Sequence, residues 1–138
     1  MVVSKEEMKS RLAKEELDYP NEVAQLTPAD IPTLRTLIND PDKMLASKAA
    51  YMVSLFSDNA EESINALKDA ARSDSPEVRV AAAAGVRNIR SAADRSNRAR
   101  GTEPNQVDKL IDEVVDTLQA DTDTGVQKEL RKLKSSRV

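Results

Sequence analysis

The sequence has no cysteine, no histidine and no tryptophan. These absences remove disulfides, thiolate nucleophiles, imidazole acid–base chemistry and the usual zinc ligands together. Missing cysteine also fits a cytoplasmic location, where thiols stay reduced. Aromatic residues make up 2% of the chain and comprise Tyr19, Tyr51 and Phe56. Three glycines leave little material for hairpin turns, and strands favour the aromatic and β-branched residues that are scarce here. No apolar run approaches the roughly 18 residues of a membrane span, and the start, MVVSKEEMKSRLAKEELD, turns charged too soon for a signal peptide. No membrane association is expected.

What remains is a 138-residue chain, the size of one domain, rich in Ala, Val, Leu and charged residues. This composition predicts an all-α fold. The net charge of −3 argues against a dedicated nucleic-acid binder, whose affinity rests on neutralising phosphates.

Helix signals punctuate the chain. Ser4 with Glu7 forms a capping-box pattern and opens a helix expected over 4–18, ended by Tyr19-Pro20. PNEVAQLTP reads as a connector. Asp30 is expected to cap IPTLRTLI, and NDPD separates that helix from KMLASKAAYMVSLF at 43–56. Asn59 with Glu62 is a second capping-box pattern, opening AEESINALKDAAR. After SDSP a long helix runs from Pro76 to about Arg95.

The two central helix pairs match each other. Ile31, Leu34, Leu37 and Ile38 correspond to Ile64, Leu67, Ala70 and Ala71. Leu45, Ala49, Val53 and Phe56 correspond to Val78, Ala82, Val86 and Ile89. The offset is about 33 residues throughout, the period of a stacked helical repeat. A looser third copy carries Val107, Leu110, Ile111, Val114 and Leu118, then Val126, Leu130 and Leu133, after an insertion at 96–104. Within the second copy, Ala81 to Ala84 and Gly85 make a slim helix middle, as close packing against neighbours on two sides demands.

The mid-repeat aspartates Asp40, Asp74 and Asp121, with the Val78-Arg79-x-x-Ala82 that follows the second, give the chain its likeness: over residues 28–134 it resembles the HEAT-like, armadillo-like helical repeats that include phycobilisome lyases. The resemblance implies a short right-handed α-solenoid of about three helical hairpins behind an N-terminal capping helix. Residues 1–27 would be that helix and a connector, 28–58 the first repeat, 59–103 the second with its insertion, and 104–138 the third. It also implies bonds between a turn aspartate and an arginine of the neighbouring repeat. Leu45-Ala46 and Val126-Gln127 replace Val-Arg in the outer copies, so a continuous ladder is not expected.

No catalytic, metal-ligating or cofactor-binding set emerges. The adjacent carboxylates Glu6-Glu7, Glu15-Glu16 and Glu61-Glu62 suit a solvated helix surface. DTDTG at 121–125 lacks the carboxylate a calcium loop needs at its end, where Lys132 stands, and its aspartates suit a helix cap. The expected role is a non-catalytic adaptor binding another protein through the exposed side of its second helices. Lys48, Tyr51 and Leu55 lie opposite the core stripe there, with Ala81, Ala84 and Asn88 as repeat equivalents. Tyr51 and Leu55 are the candidate apolar anchor; Arg87 and Arg90 are the candidate charged edge for an acidic partner. Packing of Tyr51 on Met8 and Leu12 of the first helix is the competing reading. For the arginines at 87–100, the competing readings are a favourable helix C-terminus, pairing with the acidic helix at 103–116, and a nucleic-acid patch. An accessory subunit of a HEAT-like lyase is the alternative function, and self-association is left open.

Overall fold

Local sequence chemistry sets most helix ends. Ser4 Oγ accepts the Glu7 amide (3.2 Å) and opens α1 (Lys5–Leu12). Asp18 accepts the Asn21 amide (3.2 Å) and starts α2 (Tyr19–Ala24) with Pro20 in the first turn. A 3-10 turn at Pro28–Asp30 leads into α3 (Ile31–Ile38), and Asp42 caps α4 (Lys43–Val53) through the Leu45 amide (3.2 Å). There follow α5 (Ala60–Ala71), α6 (Pro76–Arg100), α7 (Asn105–Gln119) and α8 (Thr124–Ser135). The computed structural model describes residues 3–13, 18–56, 59–100 and 105–135, without the side chains of 60, 91–100, 105–108 and 133–135. Among the described residues there are eight α-helices and no strand.

Four local expectations need correction. The first helix stops at Leu12, and Tyr19-Pro20 opens α2 rather than ending α1; proline is acceptable in a first turn because the N–H it lacks would be unpaired there. Asn59 makes no side-chain cap on α5, so the second capping box is not formed. Asp30 does not cap α3 either. Its carboxylate turns back to accept the amides of Thr27 (2.9 Å) and Val3 (2.7 Å), fully buried, and so ties the N-terminal segment to the first hairpin. Finally, α4 ends at Val53 rather than Phe56. Ser54 Oγ donates to the Tyr51 carbonyl (2.6 Å), and the amides of 54–56 turn to carbonyls three residues back.

Every residue of the two matched apolar stripes is buried, as are Ile111, Val114, Leu118, Val126 and Leu130 of the third copy. Val107 and Leu133 lie outside the described side chains. Helix α3 packs on α4 and α5, α5 on α6 and α7, and α6 on α4, α7 and α8. Helix α1 lies on α3 and α4, where Met8 and Leu12 are buried. The slim middle of α6 has a direct cause. A Cβ at Gly85 would come within 3.0 and 3.1 Å of the Leu67 methyls and 3.1 Å of Ser54 Cβ. Helix α6 therefore presses on α5 and on the end of α4 at the same residue.

Polar bonds follow the same order. Arg35 of α3 bonds Asp69 of α5 (2.7 Å), and Lys68 of α5 pairs with Glu113 of α7. In the turns, Lys9 pairs with Asp40 (3.4 Å), Lys43 with Asp74 (3.1 Å) and Arg79 with Asp121 (2.5 Å). Each cation comes from the helix pair, or the N-terminal helix, preceding the aspartate it meets. Arg79–Asp121 is the aspartate–arginine bond of the expected kind, and lysines make the other two turn pairs, which were not expected. Lys43 sits one helical turn before Ala46, the place that corresponds to Arg79, and its long side chain covers that difference. The Arg79 guanidinium also donates to the Ser73 carbonyl (2.9 Å). All three aspartates are held below the usual carboxylate range. For Asp40 and Asp121 the first cause is a backbone amide, of Asp42 and Asp123 respectively, followed by the paired cation. For Asp74 the first cause is the bond to Lys43.

Candidate functional site

Between α4 and α6 runs an open groove of about 580 Å³, lined by Met44, Ser47, Lys48 and Tyr51 on one side, Glu77, Val80, Ala81 and Ala84 on the other, and Tyr19. The two sides are the same four repeat positions. Met44 stands where Glu77 stands one repeat later, Ser47 where Val80 stands, Lys48 where Ala81 stands and Tyr51 where Ala84 stands. The groove exists because the α6 members of the last two pairs are alanines: a wall of long side chains faces a wall of methyls. Met44 is 66% exposed, a large apolar side chain held in water at the groove mouth. A pair of tyrosines builds the other end. The rings of Tyr19 and Tyr51 meet edge to face, with centroids 4.6 Å apart and planes at 62°, a favoured aromatic geometry. Burial, and then the neighbouring Tyr51, raise the Tyr19 hydroxyl above its ordinary pKa. Among the described residues no group of three or more acidic side chains is placed to hold a metal ion.

The expected site residues divide. Lys48 and Tyr51 line the groove, and their repeat equivalents Ala81 and Ala84 face them across it. Tyr51 does engage the N-terminal region, through Tyr19 of α2. Leu55 does not line the groove; it is half-buried against the hydrophobic core. Its equivalent Asn88 is turned inward and donates to Ser54 Oγ (3.2 Å).

Arg90 is 4% exposed and so is not at a solvent edge. Arg87 pairs with Glu129 of α8 (3.2 Å), whose other partner is Lys132 (3.5 Å). Arg87 thus meets an acid of the last helix. Arg90 is therefore too buried to form a solvent-facing edge, while Arg87 keeps 35% of its side chain exposed within its ion pair. Arg95, Arg98 and Arg100 lie outside the described side chains. In the DTDTG turn, Asp121 holds Arg79 and Asp123 Oδ1 accepts the amides of Gly125 (2.9 Å) and Val126 (3.1 Å). Asp123 has the capping role expected of it, whereas Asp121 accepts the Asp123 amide (2.9 Å) and caps no amide of α8.

Met44, Val80, Ser47, Glu77 and Tyr19 were not picked out from the sequence. The signal for four of these five was present in the offset of about 33 residues that relates α4 to α6. Tyr19 had no local signal, because its meeting with Tyr51 spans a long stretch of chain. Among the described residues, no helix is long and apolar enough to cross a membrane. Comparison with protein families, with curated proteins and with solved structures finds no match for this chain.

Proposed function

We propose that this protein is a non-catalytic binding module that takes a protein partner into the groove between α4 and α6. The observation that carries this reading is the groove wall itself. Among the described residues Met44 is the large apolar side chain left exposed, and it stands with the half-buried Tyr51 and Val80 over the methyl floor of Ala81 and Ala84. Contiguous apolar surface rimmed by polar groups marks interaction sites and binding grooves.

The packing order of α3 on α5 on α7, beside α4 on α6 on α8, supports a further step. We read the chain as a short right-handed α-solenoid of HEAT-like hairpins with α1 and α2 covering its first end. In such a stack the second helices line one continuous face, and the groove is the seam between two of them. The reading carries no catalytic role, since the chain lacks histidine and cysteine, and it keeps the cytoplasmic location expected from the missing cysteine. A nucleic-acid role through residues 87–100 is weaker, because Arg87 is paired and Arg90 buried.

The test is site-specific photocrosslinking in extracts of the native cell. A photoreactive residue at Met44 should yield a discrete protein adduct. The same residue at exposed Glu61 on α5 should not. Identical adduct patterns at both positions, or adducts at neither, would refute the reading.

A further inference from the structure

The charge around the groove decides what kind of segment it takes. The inference rests on the groove being the docking site and adds the chemistry of its occupant. Val126 and Leu130 of α8 are buried as Val78 and Ala82 of α6 are. That register places Lys128 and Lys132 of α8 where Val80 and Ala84 stand on α6. Both lysines are exposed. Val80 links the two seams: it lines the groove, and a Cβ at Gly125 of α8 would come within 3.0 Å of its methyl. The face thus runs from the apolar groove at Met44 and Tyr51, over Val80, to lysines on α8. Its acids are few. Glu129 pairs with Arg87 (3.2 Å), and Lys132, 3.5 Å from the same carboxylate, keeps 44% of its side chain exposed for a further acid; Glu77 stands at the N-terminal mouth.

We infer that the occupant is a short segment of a partner protein with an apolar anchor for the Met44–Tyr51 groove and acidic residues for Lys128 and Lys132. A second copy of this chain fits less well: among its described residues the exposed large apolar side chain is Met44, which would have to serve both as anchor and as part of the groove wall it enters. Nucleic acid has charge but nothing to fill the apolar groove.

The experiment is selection of a random 12-residue peptide library displayed on phage against the full chain, followed by anisotropy titration of the labelled winners. The winners should pair Leu, Ile, Phe or Trp with Asp or Glu. Met44→Asp, at an exposed site, should weaken them about 30-fold or more, as loss of an interface anchor does. Lys128→Glu with Lys132→Glu should weaken them about tenfold, as the rim pairs add up. A peptide whose acids are changed to lysine should recover on that charge-reversed variant. Circular dichroism checks that each variant keeps its helices. Winners without acids, or a Kd unchanged in the lysine variant while Met44→Asp still abolishes binding, would overturn the acidic assignment and leave the groove reading standing. Binding indifferent to Met44→Asp, or no enrichment at all, would overturn both. A concentration-dependent dimer in sedimentation, lost in Met44→Asp, would put a second copy in the groove and refute this inference.

Discussion

Gly85→Ala sets two known effects against each other at one position. Alanine in a helix interior is favoured over glycine by about 1 kcal/mol, in part because glycine loses more backbone freedom on folding. Against this, the new methyl would lie 3.0 and 3.1 Å from the Leu67 methyls and 3.1 Å from Ser54 Cβ. Leu67 and Ser54 are both buried, so neither can swing into solvent to make room. Overpacking of this kind costs about 1–3 kcal/mol. The net expectation is a loss of about 1 kcal/mol, equivalent to a fall in Tm of about 4 °C for a domain of this size. Urea midpoints for parent and variant measure it. The mechanism has a second check. Leu67→Val removes the two methyls that meet the new Cβ, so the loss caused by Gly85→Ala should shrink by about half or more in that background. Contacting residues commonly couple by about 0.5–3 kcal/mol. A Gly85→Ala protein more stable than the parent by about 1 kcal/mol would refute the close-approach account and leave only helix propensity at this position. Additivity with Leu67→Val would locate the strain elsewhere.

Asp30→Ala removes the buried carboxylate that holds the Val3 and Thr27 amides; a loss of about 1–3 kcal/mol is expected, with faster hydrogen exchange in α1, and unchanged protection of α1 would show that its packing alone holds it. Ala82→Leu should destabilise by about 1–3 kcal/mol through overpacking and Val86→Ala by about as much through a cavity, since both positions are buried; parent-like urea midpoints for both would refute the core assignment. Stability should also fall in acid. Asp40, Asp74 and Asp121 sit below their ordinary carboxylate values, so the unfolded chain takes up more protons than the folded one as pH drops. Their contribution is complete above about pH 5 and disappears as pH falls through about 4 and below. Asp121→Asn should flatten part of that slope, and an identical slope would exclude Arg79–Asp121 as a contributor.

The helical class was written in the composition: few aromatics, three glycines and an excess of alanine leave little that a sheet needs. So were the buried stripes, because spacing along a helix determines which side chains share a face. Ile31 to Phe56 and Ile64 to Ile89 could be matched from their order alone, and each matched residue is buried. That Lys48 and Tyr51 lie off the core stripe, where they line the groove, was legible for the same reason.

Periodicity along one helix does not say how far a neighbouring helix wraps around it. Leu55 and Arg90 lay off the expected stripe, yet the end of α4 tightens and α6 is flanked by α4 and α8, so both residues are drawn inward. The Lys43–Asp74 pair escaped a residue-by-residue comparison because a lysine one turn away reaches the same turn aspartate as the arginine would. Tyr19 and Met44 became parts of a groove only when Tyr19 met Tyr51 and α4 came to rest beside α6. The sequence by itself determined which faces are apolar, since that depends on neighbours three and four residues away. Tertiary structure alone decided which polar residues meet and which apolar ones stay in water, since those outcomes depend on residues about thirty or more positions apart in the chain.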